Sequence, residues 1–239
     1  MNEGLLMSTE LAFFMLTGVT MVFCLGAFYL GRYWLVAFTA VCLLLSNIVG
    51  PKIVTIFGYT ITAGTPIFAA LPLATDLLTE RYGKAVARTA VMMAFFAMMF
   101  FVAISFFVLS MASFEFTKDA GEAVDFVFSA SLRLMIASPV AYLIWQFIDI
   151  WIYHAIKSAT GEKMLWLRNN VSTFTAQAGS TYTFFFLGFY GTGEPWVQIA
   201  TVSILFYWCI ALIDTVIVYA SKGIEPRDIP ATPDRPIED

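Results

Sequence analysis

Tyr142, Gln146, Asp149 and Tyr153 follow one another at steps of four, three and four inside an otherwise apolar run. On a helix that spacing places all four on one face. Asp149 stands eight residues before Lys157, about 12 Å along a helix rising 1.5 Å per residue. A carboxylate at that depth in lipid costs about 3 kcal/mol. The face must therefore look onto a partner such as Arg168 or onto a wet cavity.

A second stripe, Asn169, Thr173, Gln177 and Ser180, repeats at four, four and three, with Arg168 and Ser172 beside it. Serines and threonines alone pack membrane helices routinely. Asn169 and Gln177 on the same stripe shift the reading toward a lined cavity. Asp76 and Glu80 lie one turn apart on a third run. Arg81, Lys84 and Arg88 beyond them read as headgroup-level charges, whereas Asp76 lies deeper and reads as functional. Ser46, Asn47 and Lys52 mark the end of another run. There Lys52 either snorkels to the interface or serves the site, and Asn47 bonds a neighbouring helix or a ligand. In the last run Ser203, Tyr207 and Asp214 share a face, and Trp145 and Trp166 are the aromatics placed to stack on a flat ligand. The single histidine, His154, is interfacial by position. Cys24, Cys42 and Cys209 sit in apolar runs and read as small buried hydrophobes. Neither a metal site, a disulfide nor a cofactor is expected from this set.

The elements that carry these residues follow from composition. The chain has 239 residues, 60% of them hydrophobic and 13% charged, with a mean hydropathy of +0.81. Its apolar runs reach the roughly 20 residues needed to cross a hydrocarbon core. They show no period of two, and lipid leaves backbone groups no partners, so the fold class is all-α: a polytopic transmembrane helical bundle. Seven segments are expected, at 9–30, 34–57, 62–79, 86–112, 126–157, 170–191 and 196–220. The shortest, with Gly64, Pro66 and Pro72, is expected to span as a bent or broken helix. Residues 1–223 form the transmembrane domain, and 224–239, with four prolines among charges, read as a disordered tail. The acidic start, with Glu3 and Glu10, does not read as a cleavable signal peptide.

Alternate connections carry Arg32; Arg81, Lys84 and Arg88; Lys157, Lys163 and Arg168; then Lys222, Arg227 and Arg235. The other set holds Lys118 amid acidic residues, and Glu194. This bias places the N-terminus outside and the C-terminus in the cytoplasm, in the inner (plasma) membrane. Gly18, Cys24 and Gly26 in the first run permit a homodimer. Nothing suggests a nucleic-acid partner.

The runs Asn47-Ile-Val-Gly-Pro-Lys52-Ile-Val-Thr-Ile-Phe-Gly58 and Ala74-Thr-Asp76-Leu-Leu-Thr-Glu80-Arg-Tyr-Gly83 resemble the YhhQ-type queuosine precursor transporters. These are also described as vitamin uptake transporters. The likeness continues through Gln146-Phe-Ile-Asp149 and Trp166-Leu-Arg168-Asn169-Asn170 to Gln177, about residues 40–190 in all. It implies a six-helix core with an added N-terminal helix. It also implies uptake of a 7-deazaguanine, such as the 7-cyano or 7-aminomethyl form, without an ATPase partner. Carried over by position, the family's polar residues fall on Asn47, Lys52, Asp76, Glu80, Gln146, Asp149, Arg168, Asn169, Ser172 and Gln177. This chain departs from the pattern at Ser180-Thr181, where the family has an acid, and at Tyr207 with Asp214, where it has a lysine. Such a ligand fits the residues. A carboxylate accepts two adjacent ring N–H groups, an amide or guanidinium bonds a ring carbonyl, and an aromatic covers the flat face.

Three other readings compete. A substrate-binding subunit of an ATP-driven importer of vitamins or heterocycles would use the same residues. An intramembrane enzyme lacks a nucleophile–base pair, a metal cluster and a phosphate loop. A retinal photoreceptor lacks the mid-depth lysine in the last helix.

Overall fold

A computed structural model describes residues 8–50, 52–128, 132–161, 163–191 and 196–228, with side chains undescribed at 132–135. Long apolar stretches form α1 (Thr9–Leu30), α2 (Arg32–Val49), α4 (Lys84–Leu109), α6 (Leu132–Thr160) and α8 (Trp196–Ser221). These five are long and apolar enough to cross a membrane. They leave large apolar side chains on the outside, including Phe23, Phe96, Phe100, Trp151 and Val216, as a lipid-facing surface requires.

The polar residues are inside. α3 (Thr65–Tyr82) is buried from Thr65 to Thr79 at every position but Phe68, which is half-buried. It packs on α1, α2, α4, α6 and α8. α7 (Leu165–Phe189) packs mainly on α6 and α8. These two carry many of the buried polar groups and owe their place to being wrapped by more apolar helices. α3 runs across Pro72 without breaking. Pro72 has no N–H to give the Phe68 carbonyl, and the Thr75 hydroxyl bonds the Leu71 and Pro72 carbonyls at 3.2 and 2.9 Å.

Two expected segments are corrected. The second ends at Val49 instead of residue 57. Beyond it, β1 (Ile53–Ile56) and β2 (Tyr59–Thr62) pair antiparallel with Ile56 opposite Tyr59. Phe57 and Gly58, both at positive φ (50° and 82°), make the turn. The signal lies in the sequence: two β-branched quartets around Phe57-Gly58, which hydropathy alone merges into a helix. The fifth expected segment, 126–157, is two elements, a short surface helix α5 (Lys118–Phe128) and α6. Cys24 and Cys42 are buried as expected, but Cys209 is exposed. Gly18 and Gly26 lie open on α1 while Cys24 faces the core, so the three do not share one face.

The connections at Gly31 and Gly83 and the end of α8 gather at one end of the bundle, tied by Arg227 and Asp228, and Gly161 and Lys163 lie at the same end, held by Arg168. The Arg227 N–H donates to the Tyr29 carbonyl at 2.9 Å. Asp228 accepts from the Arg32 N–H at 2.9 Å and the Tyr82 hydroxyl at 2.7 Å. The start of the expected tail is thus docked, and 229–239 lies outside the described residues. We call this the basic end, and the opposite one the hairpin end.

Candidate functional site

Cross-helix bonds fix which residues share a level. Thr75 pairs with Gln146, Asp76 with Thr173, Thr215 with Asn169 and Asn170, and Phe68 with Tyr207. Following these registers, the interior stacks into three layers along the bundle.

The layer nearest the hairpin end is a cavity of about 530 Å³. Its polar lining includes Ser46 and Asn47 of α2, Thr62 of β2, Ser180 and Thr181 of α7, and Tyr207 of α8, with Phe68 and Phe185 as apolar walls. The hairpin belongs here because non-helical backbone at membrane depth survives only when buried in protein or lining a cavity. Gly64, another lining residue, must be glycine: a Cβ there would stand 2.5 Å from the Ser46 carbonyl oxygen.

Beneath it lies a polar layer with almost no exposure. Asp149 is 0% exposed, Asp76 2%, Asp214 2% and Gln177 2%. The Gln146 amide donates to the Thr75 hydroxyl at 2.6 Å and to Asp149 at 3.2 Å. The Thr173 hydroxyl donates to Asp76 at 3.3 Å. Other groups find no hydrogen-bond partner among the described residues: one Asp149 oxygen, both Asp214 oxygens, both amide atoms of Gln177 and the Tyr142 hydroxyl. Native interiors leave few such groups, and each calls for a ligand, water or proton.

The third layer closes the basic end. Glu80 of α3 accepts from Arg168 at 2.6 Å, Lys157 at 3.1 Å and the Tyr153 hydroxyl at 3.0 Å. Arg168, fully buried, also donates to the Gly161 and Lys163 carbonyls at 3.1 and 3.2 Å and lies over the Tyr153 ring. One carboxylate thereby ties α3 to α6, α7 and the α6–α7 connection.

The sequence-derived candidates separate accordingly. Asn47, Ser180 and Tyr207 line the cavity. Asp76, Gln146, Asp149, Ser172, Gln177 and Asp214 form the buried layer, with Asn169 at its lower edge bonded to Thr215. Glu80 and Arg168 belong to the closing layer and not to a ligand pocket. The pairing of Asp149 with Arg168 weighed above does not occur, because Arg168 turns to Glu80. Lys52 is exposed beside the hairpin, and Trp166 is 53% exposed on the outer side of α7; neither reaches the cavity. Trp145 packs over Gly179 and donates to Thr183 at 2.8 Å. The void expected between Asp149 and Gln177 lies one turn nearer the hairpin end, over Ser180 and Thr181. Thr75 and Lys157 were not singled out as site residues, although Lys157 continues the Tyr142–Tyr153 stripe by one further turn.

The family described as "Putative vitamin uptake transporter" matches residues 62–221. A Bacillus subtilis (strain 168) protein named "Probable queuosine precursor transporter" is 30% identical over 88% of this chain and 91% of its own length. The Escherichia coli (strain K12) protein named "Queuosine precursor transporter" is 26% identical over 77% of this chain and 83% of its own. No solved structure matches the chain.

Proposed function

The chain belongs to the vitamin uptake transporter family, and from that membership we propose that it imports a queuosine precursor of the 7-deazaguanine class. The observation that carries the reading is the cavity over a buried layer whose amide and carboxylate groups lack protein partners. A 530 Å³ void lies within the range of small-molecule sites. Its aromatic walls suit a flat heterocycle.

In this reading the ring enters between Phe68, Tyr207 and Phe185. Its polar edge then reaches Gln177, Gln146 and Asp149, which supply the amide donors and the carboxylate that a guanine-like edge requires. The Glu80 clamp holds the basic end shut while the cavity stays open, one of the two arrangements that alternating access demands. The positive-inside bias puts the basic end in the cytoplasm. The N-terminus and the cavity mouth are then outside, and the C-terminus is cytoplasmic.

The test is uptake of labelled 7-cyano-7-deazaguanine by the purified chain in liposomes. Uptake in wild type that falls at least tenfold in Gln177→Ala and Asp149→Asn, with thermal stability kept, is expected. Folded wild type that moves none of a 7-deazaguanine panel refutes the substrate class. Uptake that requires ATP and a second protein would instead favour an ATP-driven importer.

A further inference from the structure

Asp76, Asp149 and Asp214 come from three different helices to similar depth, and no salt bridge among the described residues reaches any of them. Arg168 and Lys157 are both turned to Glu80, one layer away. Asp76 receives a side-chain hydrogen bond from Thr173 and Asp149 one from Gln146, with the Ser172 hydroxyl beside Asp149. Asp214, 2% exposed, receives none on either oxygen. The titratable groups facing it from the helices packed on α8 are Cys24 of α1 and Asp76 of α3. On α7, Asn169 and Asn170 give their amide donors to Thr215 instead. An ionised carboxylate here would be buried among uncharged and acidic groups with nothing to replace its hydration, which the interior does not tolerate.

Three species can neutralise such a group: a metal ion, a cationic side chain or a proton. Among the described residues no cationic side chain pairs with it. Among the described residues no three His, Cys, Asp or Glu side chains are grouped to hold a metal. A second observation places a ligand next to this layer. Gln177, buried and with both amide atoms unpartnered, stands one turn nearer the cavity than Thr173, on the same stripe of α7. Whatever satisfies Gln177 therefore arrives close to the carboxylates.

We infer that Asp214 is a proton-carrying residue and that ligand import is driven by protons moving the same way. The proton comes from water in the cavity and forms an O–H bond on the Asp214 carboxylate. It leaves to water at the basic end once the Glu80 clamp opens, so one proton crosses per cycle and the carboxylate is regenerated. The neutral carboxyl lets the layer be buried while the ligand crosses. This inference rests on the transporter reading above, but assigns Asp214 a task separate from holding the ligand.

The experiment uses the full chain in liposomes loaded with a pH-sensitive dye, with 7-cyano-7-deazaguanine as probe and the membrane potential clamped. Wild type should acidify the lumen when the probe is added outside. A gradient of one pH unit should drive accumulation of up to about tenfold, since tenfold corresponds to about 1.4 kcal/mol. Asp214→Asn should abolish both while retaining exchange of labelled for unlabelled probe, and Asp214→Glu should restore them. Wild type that exchanges probe without acidifying the lumen, and ignores the pH gradient, overturns proton coupling and leaves the transporter reading standing. Folded wild type that does not exchange the probe overturns both. Should Asp214→Asn not fold, the wild-type proton measurement decides alone.

Discussion

Replacing Glu80 by glutamine keeps the shape of the closing layer and removes the carboxylate charge that Arg168 and Lys157 share. Arg168 is fully buried and loses the Glu80 carboxylate, although the Gly161 and Lys163 carbonyls still accept from it. Stranding a buried partner costs about 3–5 kcal/mol, and those two carbonyls argue for the lower figure. Lys157, with 22% of its side chain exposed, adds at most about 1 kcal/mol after screening. About 3 kcal/mol taken from the closed arrangement shifts an open–closed equilibrium roughly a hundredfold. The assay is labelling of a reporter, Ser172→Cys, by a membrane-impermeant maleimide from the basic side, in a chain with its three native cysteines replaced. Glu80→Gln should raise the labelling rate by about two orders of magnitude. Adding Arg168→Gln should recover part of the lost thermal stability, because the stranded cation is gone. An unchanged labelling rate together with a lowered melting temperature would refute the argument, leaving Glu80 as glue and not a gate.

Two further outcomes follow from the packing. Gly179→Ala places a methyl group in the Trp145 ring and breaks its bond to Thr183; overpacking of this kind costs about 1–3 kcal/mol, seen as a lower melting temperature that Trp145→Phe in the same chain partly restores. Asp228→Ala removes the side chain that caps α2 and holds Tyr82. The loss, about 1 kcal/mol for a helix cap, should appear as faster proteolysis of the C-terminus with exchange of ligand unchanged.

Most of the helices, and the inward-facing polar stripes, were legible because the cost of placing a side chain in lipid and the 3.6-residue period are local properties. Asp149 with Gln146, and Thr173 with Gln177, declare their faces by spacing alone. The same locality concealed the hairpin. The run from residue 34 to 57 is largely apolar despite Ser46, Asn47 and Lys52, and its β-branched end is distinguished by pairing with Tyr59–Thr62, which hydropathy does not register. Sequence could nominate Glu80, Arg168, Asp149 and Asp214 as costly in lipid, but not divide them. Glu80 meets Arg168 across 88 positions of chain and Lys157 across 77, a match set by the register in which α3, α6 and α7 pack. That register turns Arg168 and Lys157 toward Glu80 at the basic end. It leaves Asp214 buried with neither oxygen bonded, and so divides a set of similar acids into a clamp and an unneutralised layer beneath a cavity. Side-chain type fixes the cost of burial; only the packing of distant helices determines which group receives a partner.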